Sequence, residues 1–294
     1  MTLHATPQPA ILAPTPRTGR FLTFGLAPGA DPRPALARLA AARHAPGCVI
    51  GLGAALAGAV PGLRPFRALD AAVRVPSTQG ALFAFFGGDD AGATLHAARR
   101  LAALLGDALP LHEETLAFEH AGGRDLTGYQ DGTENPVGHA AVTAALTDGA
   151  GPGLDGGSFV AVQRWVHDLT GFERLAPAER DHVIGRDART NEELADAPDA
   201  AHVKRAAQET FDPPAFMVRR SMPWGTVAES GLVFVAYGAT LDPFERVLAR
   251  MVGQEDGVPD ALFRFTRPVT GGYYWCPPIG ATGDATLDLR ALGL

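Results

Sequence analysis

Four short stretches of this chain hold side chains that could do chemistry. "GYQDGTENP" sets Asp131 between Gly128 and Gly132. Glycines on both sides let the backbone take positive φ or press close to something bulky. Asp131 therefore reads equally as a turn-former and as a carboxylate held against a ligand. "AHVKRA" carries His202, an imidazole that could ligate a metal or simply lie at the surface of a polar loop. His182, in "DHVIGR", is its rival but falls in a charged helical stretch. "MVRRSMPWG" puts Arg219 and Arg220 side by side in strand-like sequence, hence on opposite faces. One should face inward, and a buried arginine calls for an anionic partner. Asp260, in "GVPDALFRF", precedes an apolar strand. It either caps a turn or takes the second N–H of a metal-bound imidazole.

Other chemistries lack their signatures. No Walker loop occurs, and "GLGAALAG" brings its third glycine too late for a dinucleotide fingerprint. No serine sits in a nucleophile elbow. Neither paired CxxC units nor HExxH is present, so a closed zinc site is not expected.

The elements that must position these residues follow from periodicity. Strands are expected at "RFLTFGLA", "CVIGLGAAL", "GALFAFFGG" and "HEETLAFEH", with helices at "RPALARLAAARHA" and "GATLHAARRLAALLG". In the latter, Leu95, Ala98, Leu101, Ala102 and Leu105 form one stripe and Gly106 ends the helix. That order is βαβ, βαβ, a ferredoxin-like grammar. Residues 137–157, rich in Gly, Ala, Asp and Pro, read as a crossing linker. The second half repeats the grammar: "SFVAVQRWVHDL" as strand, "APAERDHVIGR" as helix, then strands at "FMVRRSMPWG" and "GLVFVAYGAT". The last of these is apolar on both faces and belongs in a sheet covered on both sides. Asp242 reads as the cap of the next helix, with Pro243 in the first turn and Glu245 completing a capping box. Phe244, Val247, Leu248 and Met251 make its apolar face, and Gly253 ends it. "ALFRFTRPVTGGYYWCPP" closes the sheet.

Composition limits what such a body can do. The 294 residues carry a net charge of −7 and no basic stripe, which argues against nucleic acid. Apolar residues make up 46%, enough for a large core. Cys48 and Cys276, far apart, read as free buried thiols in a reducing compartment or as a single disulfide. The N-terminal stretch is Pro-rich and extended rather than a secretory signal, and "CVIGLGAALAGAVPGL" is too short and broken to span a bilayer. A soluble, cytoplasmic protein is expected.

Taken together, "GYQDGTENP", "AHVKR", "RRSMPWG" and "FTRPVTGGYYWCPP" resemble the dye-decolorizing peroxidases, in the bacterial B-type subfamily. His202 lies 71 residues after Asp131, and Arg219 a further 17 on. The resemblance covers nearly the whole chain. It implies an α+β fold of two ferredoxin-like units, antiparallel sheets with helices packed on them, in the manner of dimeric α+β barrels. The implied division is 1–140, carrying the distal Asp loop, and 141–294, binding haem b, one per chain.

The resemblance also implies roles. His202 is the proximal ligand of the haem iron, with Asp260 behind it, making the imidazole more electron-rich. Asp131 is the distal proton shuttle and Arg219 the distal cation; Ser221 holds a water or the peroxide. Gly128 and Gly132 lay the loop close to the macrocycle. Glu134 and Asn135 are assigned loop-shaping only. The implied activity is reduction of hydrogen peroxide and oxidation of dyes, phenols or other reductants through a high-valent iron intermediate. An ordinary Asp131 pKa, about 3.9, implies an acidic optimum. Trp165, Trp224, Trp275, Tyr129, Tyr237, Tyr273 and Tyr274 are either core or stepping stones for electrons. The implied assembly is a homo-oligomer, a dimer or larger. The alternative is a haem-handling protein for transfer or iron release, which would have no use for Asp131 and Arg219 together. A chlorite-dismutase-like enzyme would lack the glycine-flanked aspartate. The ending "DATLDLRALGL" gives no convincing tag for loading into a nanocompartment.

Overall fold

A computed structural model of the chain describes residues 6–280 and 285–294. The first half contains β1 (Thr18–Phe24), α1 (Arg33–Ala41), β2 (Cys48–Leu52), α2 (Ala54–Ala57), the small hairpin β3 (Leu69–Asp70) and β4 (Arg74–Val75), β5 (Leu82–Gly88), α3 (Ala91–Leu105) and β6 (Leu111–Phe118). After α4 (Gly138–Ala145), the second half contains β7 (Ser158–His167), α5 (Leu169–Glu173), α6 (Pro177–Ile184), α7 (His202–Arg205), β8 (Val218–Arg219), β9 (Met222–Gly225), β10 (Ser230–Gly238), α8 (Asp242–Met251), β11 (Thr266–Pro268) and β12 (Gly272–Cys276).

Every strand pairing is antiparallel. The main sheet runs β11-β7-β12-β2-β5-β1-β6-β9-β10-β8, and β7 also pairs with β10, so it closes on itself. β8 and β9 follow each other along β10 in one register, as parts of a single strand. β11 and β12 do the same along β7, one residue out of step. Counted that way, each half has the spatial order fourth-first-third-second, the ferredoxin-like arrangement. The halves join edge to edge at two narrow seams, Trp275 beside Leu52 and Ala117 beside Trp224. Closure removes the open edges that either sheet would present alone.

The period-two alternation of the strands now has two destinations. Phe21, Phe83, Phe85, Val160, Val218, Met222, Trp224, Val233, Val235, Tyr237 and Tyr274 fill the barrel interior. Alternate residues face outward under the helices, where Leu36, Leu39, Leu101 and Leu105 pack in the first half and Phe244, Val247, Leu248 and Met251 in the second. β10 is therefore buried on both sides, as its sequence demands. Cys48 and Cys276 are free and buried.

Several elements differ from the sequence reading. The strand at 48–56 stops at Leu52, and residues 54–57 turn helical. Leu95 lies outside the α3 stripe and is exposed; Thr94 is buried instead. The 137–157 linker contains α4, which sets Ala141 and Ala145 against the barrel core and closes one end of it. Asp242 makes no side-chain cap. Together with Glu245 it instead binds Arg64, which reaches across from the first half with N···O distances of 3.0 and 2.6 Å. The salt bridge draws both carboxylates away from the helix N–H groups.

Candidate functional site

His202 opens the one-turn helix α7, after an extended Ala201. Two attachments fix that turn. Buried Arg205 donates to both oxygens of Asp256, at 2.7 and 2.8 Å, and to the carbonyl of Arg250 at 2.8 Å. The N–H of Ala261 donates to the carbonyl of Ala200 at 2.7 Å. His202 Nδ1 then lies 2.8 Å from Oδ2 of Asp260, a carboxylate with no exposed side-chain surface. The other oxygen of Asp260 accepts the N–H of Leu262 at 2.8 Å, capping the short helical turn Ala261–Arg264. One carboxylate thus both caps a turn and pairs with an imidazole nitrogen. With its Nδ1 proton given to Asp260, His202 keeps the lone pair on Nε2.

His202 lines a cavity of about 1010 Å³, open mouth included. One wall is the outward face of β7 and β10, with Gln163, Trp165, His167, Leu232 and Phe234; another is α8, with Phe244, Val247, Leu248 and Met251. Asp131 and Arg219 line it too. The structure thereby brings together three of the sequence candidates from segments 71 and 17 residues apart. Ser221 does not reach this cavity. It lines an adjoining cleft of about 690 Å³, with Gly132 and Asn135, that shares Asp131 and Arg219 with the first. Gly128 lines neither space. Its φ of +89° and the +70° of Gly132 are what the loop requires of those positions. His182 lies on α6, half-exposed, 3.6 Å from Asp196 and off the cavity.

Asp131 has accessible surface, and it lines both the cavity and the adjoining cleft. Desolvation pushes its carboxyl above the ordinary range, against the pull of the nearby Arg219 guanidinium. The expectation of an ordinary, low Asp131 pKa is corrected accordingly. Arg219 Nε and Ser221 Oγ are buried without a hydrogen-bond partner among the described residues. Buried donors of this kind call for an explanation, and a bound group or an ordered water would satisfy them.

Three features escaped the sequence reading. Asn135 does more than shape its loop: its Oδ1 accepts the Arg219 N–H at 2.8 Å and its Nδ2 donates to the Arg219 carbonyl at 2.9 Å. This two-bond clamp joins the Asp131 loop to the Arg219 strand. His167 forms a second buried pair on the cavity wall, with Nε2 3.1 Å from Asp125 and Nδ1 2.6 Å from Thr266 Oγ1. Burial raises the Asp125 pKa, but the bonds from His167 and Thr127 outweigh it and the net shift is downward. Strand alternation carried the signal, since 163, 165 and 167 share a face. Tyr129, also on the wall, donates to Asp181 at 2.5 Å.

A family model described as Dyp-type peroxidase, C-terminal, matches residues 122–281. The chain belongs to the Dyp-type peroxidase family. The dye-decolorizing peroxidase of Mycobacterium tuberculosis is 32% identical over 210 residues, covering 69% of this chain and 63% of that protein. The Brevibacterium linens dye-decolorizing peroxidase is 30% identical over 257 residues, covering 83% and 70%. The chain thus spans somewhat less than two thirds of the Mycobacterium relative it matches. Among solved structures, a variant of DypB from Rhodococcus jostii RHA1 in complex with heme superposes with a TM-score of 0.85 at 26% identity, covering 98% of this chain and 100% of that one. The Dyp-type fold therefore extends over both halves.

Proposed function

We propose that this chain is a haem b peroxidase that reduces hydrogen peroxide at the expense of dyes, phenols or similar reductants. The observation that carries the reading is the donor set of one cavity. A carboxylate-backed His202 with a free Nε2 shares an apolar chamber with Asp131 and Arg219. The site fits haem: the walls are aliphatic and aromatic, one imidazole offers a lone pair, and the buried Nε of Arg219 awaits a partner. The match to a heme-bound structure supports the same assignment. Bound haem would supply the redox-active iron at which peroxide is reduced to water.

The chain's own residues would do the rest. His202 would hold the iron through Nε2, and Asp260 would make that nitrogen a stronger donor. Asp131, when ionised, would accept a proton from the peroxide and return it to the oxygen that leaves as water. Arg219 offers fixed positive charge where negative charge grows on the leaving oxygen. Ser221, in the adjoining cleft, has a free hydroxyl to hold a water or peroxide on its way in. The paired presence of Asp131 and Arg219 favours this reading over haem carriage, which needs neither. The reading keeps a division near residue 140, supported by the same strand order on either side.

The test is the absorption spectrum of the full chain loaded with haem, before and after peroxide. A Soret band that changes rapidly on mixing is expected. His202→Ala should lose the histidine-ligated ferric spectrum. An unaltered spectrum in that variant, or no response of the wild type to peroxide, overturns the assignment.

A further inference from the structure

Arg220 lies in the inward row of its strand, between Val218 and Met222, at the end of the barrel crossed by the N-terminal segment. Among the described residues its guanidinium donates only to carbonyls: Nε to Ala13 at 2.7 Å, one terminal nitrogen to Leu12 at 3.0 Å and the other to Arg219 at 3.1 Å. The sequence called for an anionic partner, and among the described residues there is none. Desolvation lowers the Arg220 pKa. Three carbonyls use three of five N–H donors and contribute no charge.

That cation faces a second cavity, about 760 Å³ with its open mouth, that shares no lining residue with the His202 chamber. The Phe21 and Phe85 rings line it, 4.8 Å apart between centroids and tilted, together with Tyr237. Pro9, Pro14, Pro16 and Pro46 add apolar wall, and among the described residues the lining contains no acidic side chain. Pro14, Thr15 and Pro46 are exposed, so its rim is at the surface.

We propose that this barrel end is a binding site for a small aromatic carboxylate. The carboxylate oxygens would take the spare donors of Arg220, a charge-assisted pair in a poorly hydrated site. The ring would lie among Phe21, Phe85 and the prolines, where aromatic and apolar faces replace water. A neutral aromatic leaves the cation unmatched, and an aliphatic anion wastes the rings. Fastening of the 9–16 segment by Arg220 is retained, since its bonds to the Leu12 and Ala13 carbonyls stay in place.

Benzoate is the probe, titrated into the full chain and followed by calorimetry and by NMR shifts of the Phe21 and Phe85 rings. Saturable binding is expected, with both rings shifting, and with benzamide and cyclohexanecarboxylate each weaker by about tenfold or more. Arg220→Gln should weaken benzoate at least about tenfold, while Arg220→Lys retains part of the affinity. Ala13→Phe, which fills the cavity and leaves the cation untouched, should abolish binding. It decides the matter should Arg220→Gln not fold. Arg219→Leu should leave the affinity unchanged, because the His202 chamber is separate. Absence of binding, or benzoate affinity equal in wild type and Ala13→Phe, overturns the proposal, as does loss confined to Arg219→Leu.

Discussion

At the scale of single residues, Asp131 has to serve two opposed ends. A base must be ionised, yet its surroundings favour the neutral acid. A carboxyl whose pKa is raised by folding stabilises the fold below its unfolded pKa and loses that contribution as pH rises through the folded value. Asp131→Asn, which cannot titrate, should therefore gain stability relative to wild type as pH rises above about 4. Thermal melts of the haem-free protein across pH would show it, and a constant difference would refute it. The same shift sets the acid limb of the proposed peroxide reaction above the ordinary aspartate range. Arg219 opposes the shift, so Arg219→Leu should move that limb to still higher pH. Stopped-flow rates against pH give the comparison.

At the scale of elements, the loop 128–136 and the strand β8 are joined through Asn135. Its side chain satisfies both backbone groups of Arg219, and Gly132 leaves room for it: a Cβ there would sit 2.8 Å from Asn135 Nδ2. Asn135→Ala should cost about 1–3 kcal/mol in urea unfolding, from the Arg219 N–H left without its acceptor, while the Arg219 carbonyl keeps the bond from Arg220. It should also displace Arg219, so the acid limb of the pH profile moves as it does in Arg219→Leu. Unchanged kinetics would show that Arg219 needs no clamp. The motif advertised Asp131 and hid Asn135, because a side chain bonded to backbone 84 residues away leaves no local pattern. Helix α4 was hidden for a related reason. Its Ala-rich sequence has little contrast with the flanking Gly and Asp, and its burial exists only once a barrel end is there to close.

At the scale of the whole molecule, the two halves share one interior. Phe83 from the first and Tyr274 from the second pack with centroids 5.5 Å apart, and Arg64 spans the outside. The halves should therefore unfold together. Cys48 and Cys276 report on one half each, and burial pushes both thiols far above their ordinary pKa. Both should label with a thiol reagent at the same urea concentration. Phe83→Ala should lower that shared midpoint by the equivalent of about 3–5 kcal/mol. Separate labelling midpoints would mean that the seams at Trp275–Leu52 and Ala117–Trp224 do not couple the halves.

The sequence by itself determined the α+β class, the repeated strand–helix grammar, the apolar face of α8 and the family. Those rest on local periodicity and on motifs whose residues are near neighbours in the chain. It also named His202, Asp131 and Arg219, which the structure gathers at one chamber, and Asp260, which lies behind His202. Tertiary structure alone decided the rest: barrel closure, the Asn135 clamp, the raised Asp131 pKa, the His167–Asp125 pair and the unmatched charge of Arg220. Each depends on which distant groups surround a side chain and how much water they exclude. Adjacent residues of one strand show this most plainly: Arg219 and Arg220 have the same chemistry, and only the two faces of a closed sheet send them to different cavities.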